Sequence, residues 1–423
     1  MDLPVESRSH LLSVMRRPGA ARLWAAGVAV SIMRWLEMLA FSLFALSETG
    51  SALIVSLTVF ARMLPLLFLG GIASSLVERR DRRTTLLVAL GTMLASAVAL
   101  FGAALADRLS VPLVMLAAVL GGIFWAVETP LRRTMLAEAG GMERIGQSMG
   151  LEIATNQLTR LTGAVMGGTI VALLGLGGIF FSGVLFYAAA ILLILGLDRS
   201  PPARRSARSA REVLRGLWES IREARRSRLL TGSLLISAVF NLWAFPYFAL
   251  GPVVGEHALG LGPSGIGLLM GMEPLGALVG SILIAARLRP RLFAPFYGLS
   301  PVVFVLGTTL FALAASSLLA HAALFGAGFG MAAFAVMQMV LPMYAAPASM
   351  RVRMVGLMAM TIGVAPLGLA HAGLLAEWLG ARNALLVIAA EGGLATLAVL
   401  LRYPQLLTAR LHPDHTGGAV GEN

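Results

Sequence analysis

The sequence predicts an all-α membrane protein of twelve transmembrane helices arranged as two six-helix halves. Three observations carry that expectation: too few polar residues to cover a water-facing surface, twelve apolar windows of spanning length, and arginines confined almost wholly to alternate connections. The 423-residue chain is 58% hydrophobic and only 13% charged, with a mean hydropathy of +0.84. Soluble domains run nearer a quarter charged, and a soluble chain of this length needs more polar side chains than this to clothe its outside. No Cys is present, which excludes disulfides and Cys-ligated metals.

A spanning helix takes about 20 mostly apolar residues. Residues 1–19 hold no apolar run long enough for a secretory signal and read as a short polar arm. The first six windows are 21–47, 51–77, 84–106, 110–135, 146–174 and 176–197, the last two meeting at the join GLGG (175–178). The second six are 229–254, 264–286, 295–318, 321–344, 353–378 and 383–403, followed by a tail, 404–423. None shows the ten-residue alternation of barrel strands, so helices are expected. Between the two sets lies the only long polar block, DRSPPARRSARSAREVLRGLWESIREARRSR (198–228), whose ten Arg and four acids give a net charge of +6. Its second part spaces Val213, Leu214, Leu217, Trp218 and Ile221 at helical intervals. That pattern predicts an amphipathic helix along the membrane surface, its arginines toward anionic lipid headgroups.

All 33 basic residues are Arg. With the N-terminus placed inside, 28 of them fall in the arm, the even-numbered connections, the linker and the tail or at the window ends that border these. Only Arg108 and Arg382 fall outside, and Arg34, Arg62 and Arg160 lie within spans. The positive-inside rule then puts both termini and the linker in the cytoplasm. A net charge of +12 distributed in this way describes topology rather than nucleic-acid binding. The halves also carry a weak repeat. Gly122, Gly150 and Gly167 each precede Gly328, Gly356 and Gly373 by 206 residues, as Thr155 precedes Thr361. Two parallel copies of one six-helix plan are the pattern of one class of secondary transporter.

Three stretches resemble the major facilitator superfamily, in particular its bacterial drug and siderophore exporters (macrolide-efflux and enterobactin-exporter relatives). The first, PLLFLGGIASSLVERRDRRTTLL from Pro65, is similar to the superfamily's loop between helices 2 and 3. Arg79, Asp81, Arg82 and Arg83 fit that pattern, while Ser74 stands in place of its Gly and Glu78 in place of its Asp. The second, ETPLRRTMLAEAGGMERIGQSMGLEIATNQLTRLTGAVMGG from Glu128, keeps Pro130, Arg132, Asn156, Arg160 and Gly163 in register with the exporters' helix 4–5 signature. The third is RVRMVGLMAMTIGVAPLGLAHAGLLAEWLG (351–380), with Pro366, Gly368 and Gly373. The resemblance implies the major facilitator fold, halves 1–197 and 229–403 rocking about a central site on helices 1, 2, 5, 7 and 8, and proton-coupled export from a bacterial inner membrane. The substrate it implies is an amphiphilic molecule of drug, siderophore or lipid-like size, carried by a monomer. It also makes Glu78, Arg79, Asp81, Arg82 and Arg83 a latch whose contacts differ between conformational states.

Charges inside spans cost roughly 2.5–3.5 kcal/mol each at a helix centre unless paired or hydrated, so they mark candidate sites. Arg34 and Glu37 lie midway along helix 1, close enough in sequence to pair, with Arg62 at similar depth in helix 2 and Glu273 mid-helix 8 beside Pro274. These four are the expected proton-coupling set, Glu37 or Glu273 carrying the proton and Arg34 or Arg62 opposing it. An intrahelical Arg34–Glu37 pair that merely locks packing is the structural alternative. Asn156, Arg160, Asn241 (near Pro246) and Tyr247 are expected around a substrate cavity, and Glu128 and Glu152 with Arg132, Arg133 or Arg144 in an inner gate. Trp35, Trp125, Trp243, Phe245 and the methionines at 331, 337, 339 and 343 are candidates for an adaptable apolar lining. Glu391 falls on helix 12, usually peripheral in the fold the resemblance implies.

No phosphate-binding GxxxxGK[ST] and no nucleophile motif occurs, so the chain reads as no enzyme and no direct user of ATP. His321 and His371 lie on different helices without metal-ligand spacing, and neither metal nor cofactor is expected. Two other functions stay open: an uncoupled facilitator or flippase for a lipid or lysophospholipid, and a transport-dead scaffold or sensor.

Overall fold

The computed structural model describes residues 17–69, 81–140, 145–197, 218–346 and 351–409. Ser74, Glu78, Arg79, Arg144, the linker up to residue 217 with most of its expected surface helix, and the tail beyond 409 lie outside these residues. Among the described residues the structure is helical, with no strand.

The helices of the first six windows are α1 (Pro18–Thr49), α2 (Ala52–Leu69), α3 (Arg82–Leu105), α4 (Val111–Gly140) and the continuous Ile145–Leu195. Among the described residues eleven stretches are long and apolar enough to span, one of them the 42-residue Ala154–Leu195. At 1.5 Å per residue that stretch is about 63 Å long, twice the ~30 Å hydrocarbon core. Gly175 interrupts it with φ 61° and ψ −163°, a backbone state open to glycine and costly for other residues. The chain there divides into α5 (145–174) and α6 (176–195), which brings the spans to the expected twelve.

After a helical segment at 218–224 come α7 (Arg228–His257), α8 (Pro263–Arg287), α9 (Pro290–Leu313) and α10 (Ser317–Ala345). The last two are α11, built from Arg351–Ile362 and Ala365–Leu379, and α12 (Ala381–Arg402). α7 breaks between Ala244 and Pro246, where proline removes a backbone donor. α3 and α7 start on side-chain caps. Asp81 accepts from Thr84 N at 3.0 Å, and Ser227 from Leu230 N at 3.3 Å.

Two compact units emerge, Met1–Ala207 with Gly260–Gly271, and Arg208–Leu259 with Met272–Asn423. In the first, α1 lies against α5 and α6, α2 against α4, and α3 against the α5–α6 stretch. Its core is formed by Met33, Leu36, Leu90, Leu136, Ile179 and Ile194. In the second, α9 packs on α10 and α12, and α12 also on α7 and α11. The repeat is visible as a matching close approach in each unit. A Cβ on Gly122 of α4 would lie 2.1 Å from the Arg62 carbonyl oxygen of α2, and one on Gly328 of α10 2.3 Å from the Glu273 carbonyl oxygen of α8. Only glycine lets these backbones come so near. The 206-residue spacing of Gly122 and Gly328 thus sets Arg62 and Glu273 at corresponding crossings of their own units.

Candidate functional site

The first unit buries two neighbouring clusters of ion pairs that meet α1 about midway along its length. Glu37 is 5% exposed and faces α2 and α6. Its Oε2 accepts from Arg62 Nη1 at 3.1 Å, and its Oε1 from the Tyr187 hydroxyl at 3.0 Å. Arg34, one turn earlier, does not pair with Glu37. Its Nη2 donates to Glu128 Oε2 of α4 at 2.8 Å, and its guanidinium stands 4.7 Å from the centre of the Trp125 ring. The i,i+3 spacing put the two charges on neighbouring parts of one face, but each finds better-aimed opposite charge on another helix, and the intrahelical pairing is corrected accordingly.

Glu128 is fully buried and also accepts from Arg132 Nε and, at 3.0 Å, from the Thr129 hydroxyl. Arg132 continues to α5, where Nη1 and Nη2 reach the two oxygens of Glu152 at 2.9 and 2.6 Å, a two-pronged geometry that a planar guanidinium favours. Arg133, half exposed, stands 3.6 Å from Glu152 Oε1 at the edge of this network. The expected coupling set and gate therefore regroup into two neighbouring clusters on α1, Glu37 with Arg62 and Tyr187, and Arg34 with Glu128, Arg132 and Glu152. Arg34, expected beside Glu37, belongs to the second of these. Every carboxylate in the two clusters faces at least one guanidinium, which offsets the cost of burying charge in a low-dielectric layer.

Arg160 of α5 is buried over the Trp35 ring, 5.2 Å from its centre, and donates to Gln157 Oε1 at 3.0 Å. Trp35 and Trp125 meet edge to face at 6.0 Å, so both expected aromatic residues carry a cation. Asn156 is half-buried. Beyond the two clusters, Arg82 pairs with Glu138 at the end of α4. Arg83 donates to the Ile194 and Leu195 carbonyls that close α6, and Asp81 caps α3.

In the second unit Glu273 is fully buried on α8. Asn241 spends its amide on Ser237 of its own helix, donating to the carbonyl at 2.8 Å. Ser237 in turn meets Thr361 and Gln338 at 2.5 Å each. Tyr247 is 1% exposed and packs edge-on against Phe304 and Phe311. Met331 and Met337 are buried; the side chains at 339 and 343 lie outside the described residues. Glu391 accepts from Trp243 Nε1 at 3.0 Å and faces His371 Nε2 at 2.9 Å, tying α12 to α7 and α11.

Tyr187 was missed by sequence reasoning. Its signal was a lone hydroxyl-bearing ring in the apolar run of α6, which needs a polar partner when buried. The Ser237–Gln338–Thr361 cluster gave no such signal, because small polar residues are common in spans. No group of three or more His, Cys, Asp or Glu side chains among the described residues is placed to hold a metal.

The family model of the Major Facilitator Superfamily matches residues 23–367. The chain belongs to that superfamily. It is 23% identical over 274 residues to the Staphyloferrin A transporter of Staphylococcus aureus (strain NCTC 8325 / PS 47), covering 64% of this chain and 68% of that one. It is 24% identical over 382 residues to the uncharacterized MFS-type transporter YfiS of Bacillus subtilis (strain 168), covering 87% and 89%. Among solved structures, a bacterial homolog of the human lysosomal transporter Spinster matches with a TM-score of 0.75 at 13% identity, over 94% of this chain and 99% of that one. The POT family transporter PepTSo matches at 0.73 and 10%, over 93% and 99%. This superfamily member is a multi-pass membrane transporter of small molecules that works by secondary transport, and it is not an enzyme.

Proposed function

We propose that this transporter exchanges protons for an amphiphilic organic molecule of drug, siderophore or lipid-like size, exporting it across a bacterial inner membrane by alternating access. The observation that carries this reading is Glu37, a buried carboxylate held between a guanidinium and a phenol at mid-helix depth. Protonation removes the charge that Arg62 faces and leaves Tyr187 a carboxylic acid in place of a carboxylate. The contacts joining α1 to α2 and α6 then weaken together. Arg34 stands one turn away on the same helix, so a shift of α1 reaches Glu128, Arg132 and Glu152 of α4 and α5. A proton taken up at Glu37 thus biases the packing of five helices, which is the differential interaction that coupling requires. Glu273, at the corresponding crossing of the second unit, is the second proposed carrier. Asn156, Arg160, Asn241 and Tyr247 are proposed for the substrate cavity, and Glu78, Arg79, Asp81, Arg82 and Arg83 for a cytoplasmic latch, both termini being cytoplasmic. Support for the substrate class comes from the siderophore-transporter relative and from the exporter-like helix 4–5 signature.

The test uses the full-length protein in liposomes with a trapped pH indicator, challenged with siderophores, lysolipids and antibiotics. A substrate that stabilises the folded protein against heat identifies the ligand. That substrate is expected to drive proton flux in the wild type and none in Glu37→Gln. Transport at wild-type rate without proton flux, unchanged in Glu37→Gln and Glu273→Gln, would overturn coupling and leave the uncoupled flippase.

A further inference from the structure

An apolar groove of about 460 Å³ opens on the second unit between α8, α9 and α10. Gly280 and Gly330 lie along it, and Leu283, Leu299 and Val303, each roughly two-fifths exposed, form its sides. Among the described residues that line it, Arg287 alone is charged. Arg287 closes α8 at the mouth of the groove, and Arg289 and Arg291 follow within four residues. All three are exposed, and none takes part in an ion pair or hydrogen bond among the described residues. The surface therefore joins a hydrocarbon-lined channel to three unneutralised cations.

Its length fits one leaflet. From Leu292 to Val303 along α9 is about 16 Å at 1.5 Å per residue, close to half of a ~30 Å hydrocarbon core. Lipid tails are no less apolar than Leu, so the groove alone selects no headgroup. The arginines do, because each basic residue near an anionic surface contributes about 1 kcal/mol, roughly fivefold in affinity.

We propose that this groove binds one anionic phospholipid, an acyl chain lying between α8, α9 and α10 and the phosphate resting on Arg287 and Arg291. The positive-inside count places this lipid in the cytoplasmic leaflet. The site is independent of the Glu37 ion pairs and of the proton-coupling reading.

The test delipidates the purified full-length protein and adds back phosphatidylglycerol or phosphatidylcholine with identical chains, read by native mass spectrometry and thermal melting. Phosphatidylglycerol is expected to be retained and to raise the melting temperature more than phosphatidylcholine. The variant Arg287→Gln/Arg291→Gln is expected to weaken its binding about 10- to 30-fold. Val303→Trp and, separately, Leu283→Trp, which fill the groove, are expected to remove the preference, and Arg108→Gln to keep it. The linker arginines are present throughout, so the readout is the change on removing this pair alone. Equal binding of the two lipids, or a preference surviving the double variant, would overturn the proposal. Inorganic phosphate reproducing the stabilisation would do so as well, since it would mean an anion site without a lipid.

Discussion

Replacing Glu37 by Gln is the most direct probe of the buried charges. The variant keeps the size of the side chain but leaves Arg62 facing a neutral amide in a site where Glu37 and Arg62 are 5% and 3% exposed. Removing one partner of a buried pair costs about 3–5 kcal/mol, because the survivor stays desolvated and uncompensated. The Tyr187 hydroxyl, 3.0 Å away, also exchanges a charged acceptor for a neutral one, a loss within the ~1.5–3 kcal/mol range of charge-assisted bonds. For a unit of about 200 residues, 1 kcal/mol corresponds to roughly 2–4 °C, so the melting temperature should fall by about 6–20 °C. Arg62→Gln should cost a similar amount. The double variant Glu37→Gln/Arg62→Gln should cost little more than either single one, giving a coupling energy of at least ~2 kcal/mol. Thermal melts of all four proteins in one detergent or nanodisc supply the cycle. Single effects that add to within ~0.5 kcal/mol would refute the reasoning, since additivity is the behaviour of sites that do not interact.

Glu128→Gln leaves both Arg34 and Arg132 without their shared carboxylate and should destabilise by about 3–5 kcal/mol or more. Glu138→Gln, which loses a pair with Arg82 whose carboxylate is 48% exposed, should cost about 0–1 kcal/mol; similar melting temperatures for these two variants would contradict the burial argument. Gly122→Ala drives a methyl to 2.1 Å from the Arg62 carbonyl oxygen, whereas a Cβ on Gly91 meets nothing within 4 Å. The first should lose about 1–3 kcal/mol or fail to accumulate folded, while the second should be neutral or slightly stabilised in size-exclusion and melting assays. Asp81→Ala removes the cap of α3 and should cost about 0.5–2 kcal/mol, with Asp81→Ser recovering most of it; hydrogen exchange at Thr84 is the local readout.

Some of this site was legible before any coordinates. Arg34, Glu37, Arg62, Glu128 and Arg160 stood out because charge within an apolar window is expensive wherever the helix ends up. Their partners were not legible. Sequence spacing offered Glu37 to Arg34, three residues away, yet the guanidinium of Arg34 reaches Glu128, 94 positions along the chain. Tyr187 joins Glu37 across 150 positions. Likewise Glu391, His371 and Trp243 read as three unrelated residues until α7, α11 and α12 were packed together.

The sequence by itself determined that this chain is a bundle of twelve membrane helices, because hydrocarbon tolerates no unpaired backbone and each span must satisfy its own hydrogen bonds. It also marked where the helices touch most closely, through Gly122 and Gly328, and where charge is buried. Only the tertiary structure decided which charge answers which. Opposite charges in a low-dielectric layer attract strongly over short distances, so the winning partner is whichever side chain the helix crossings bring within hydrogen-bonding reach. At Arg34 that partner was Glu128.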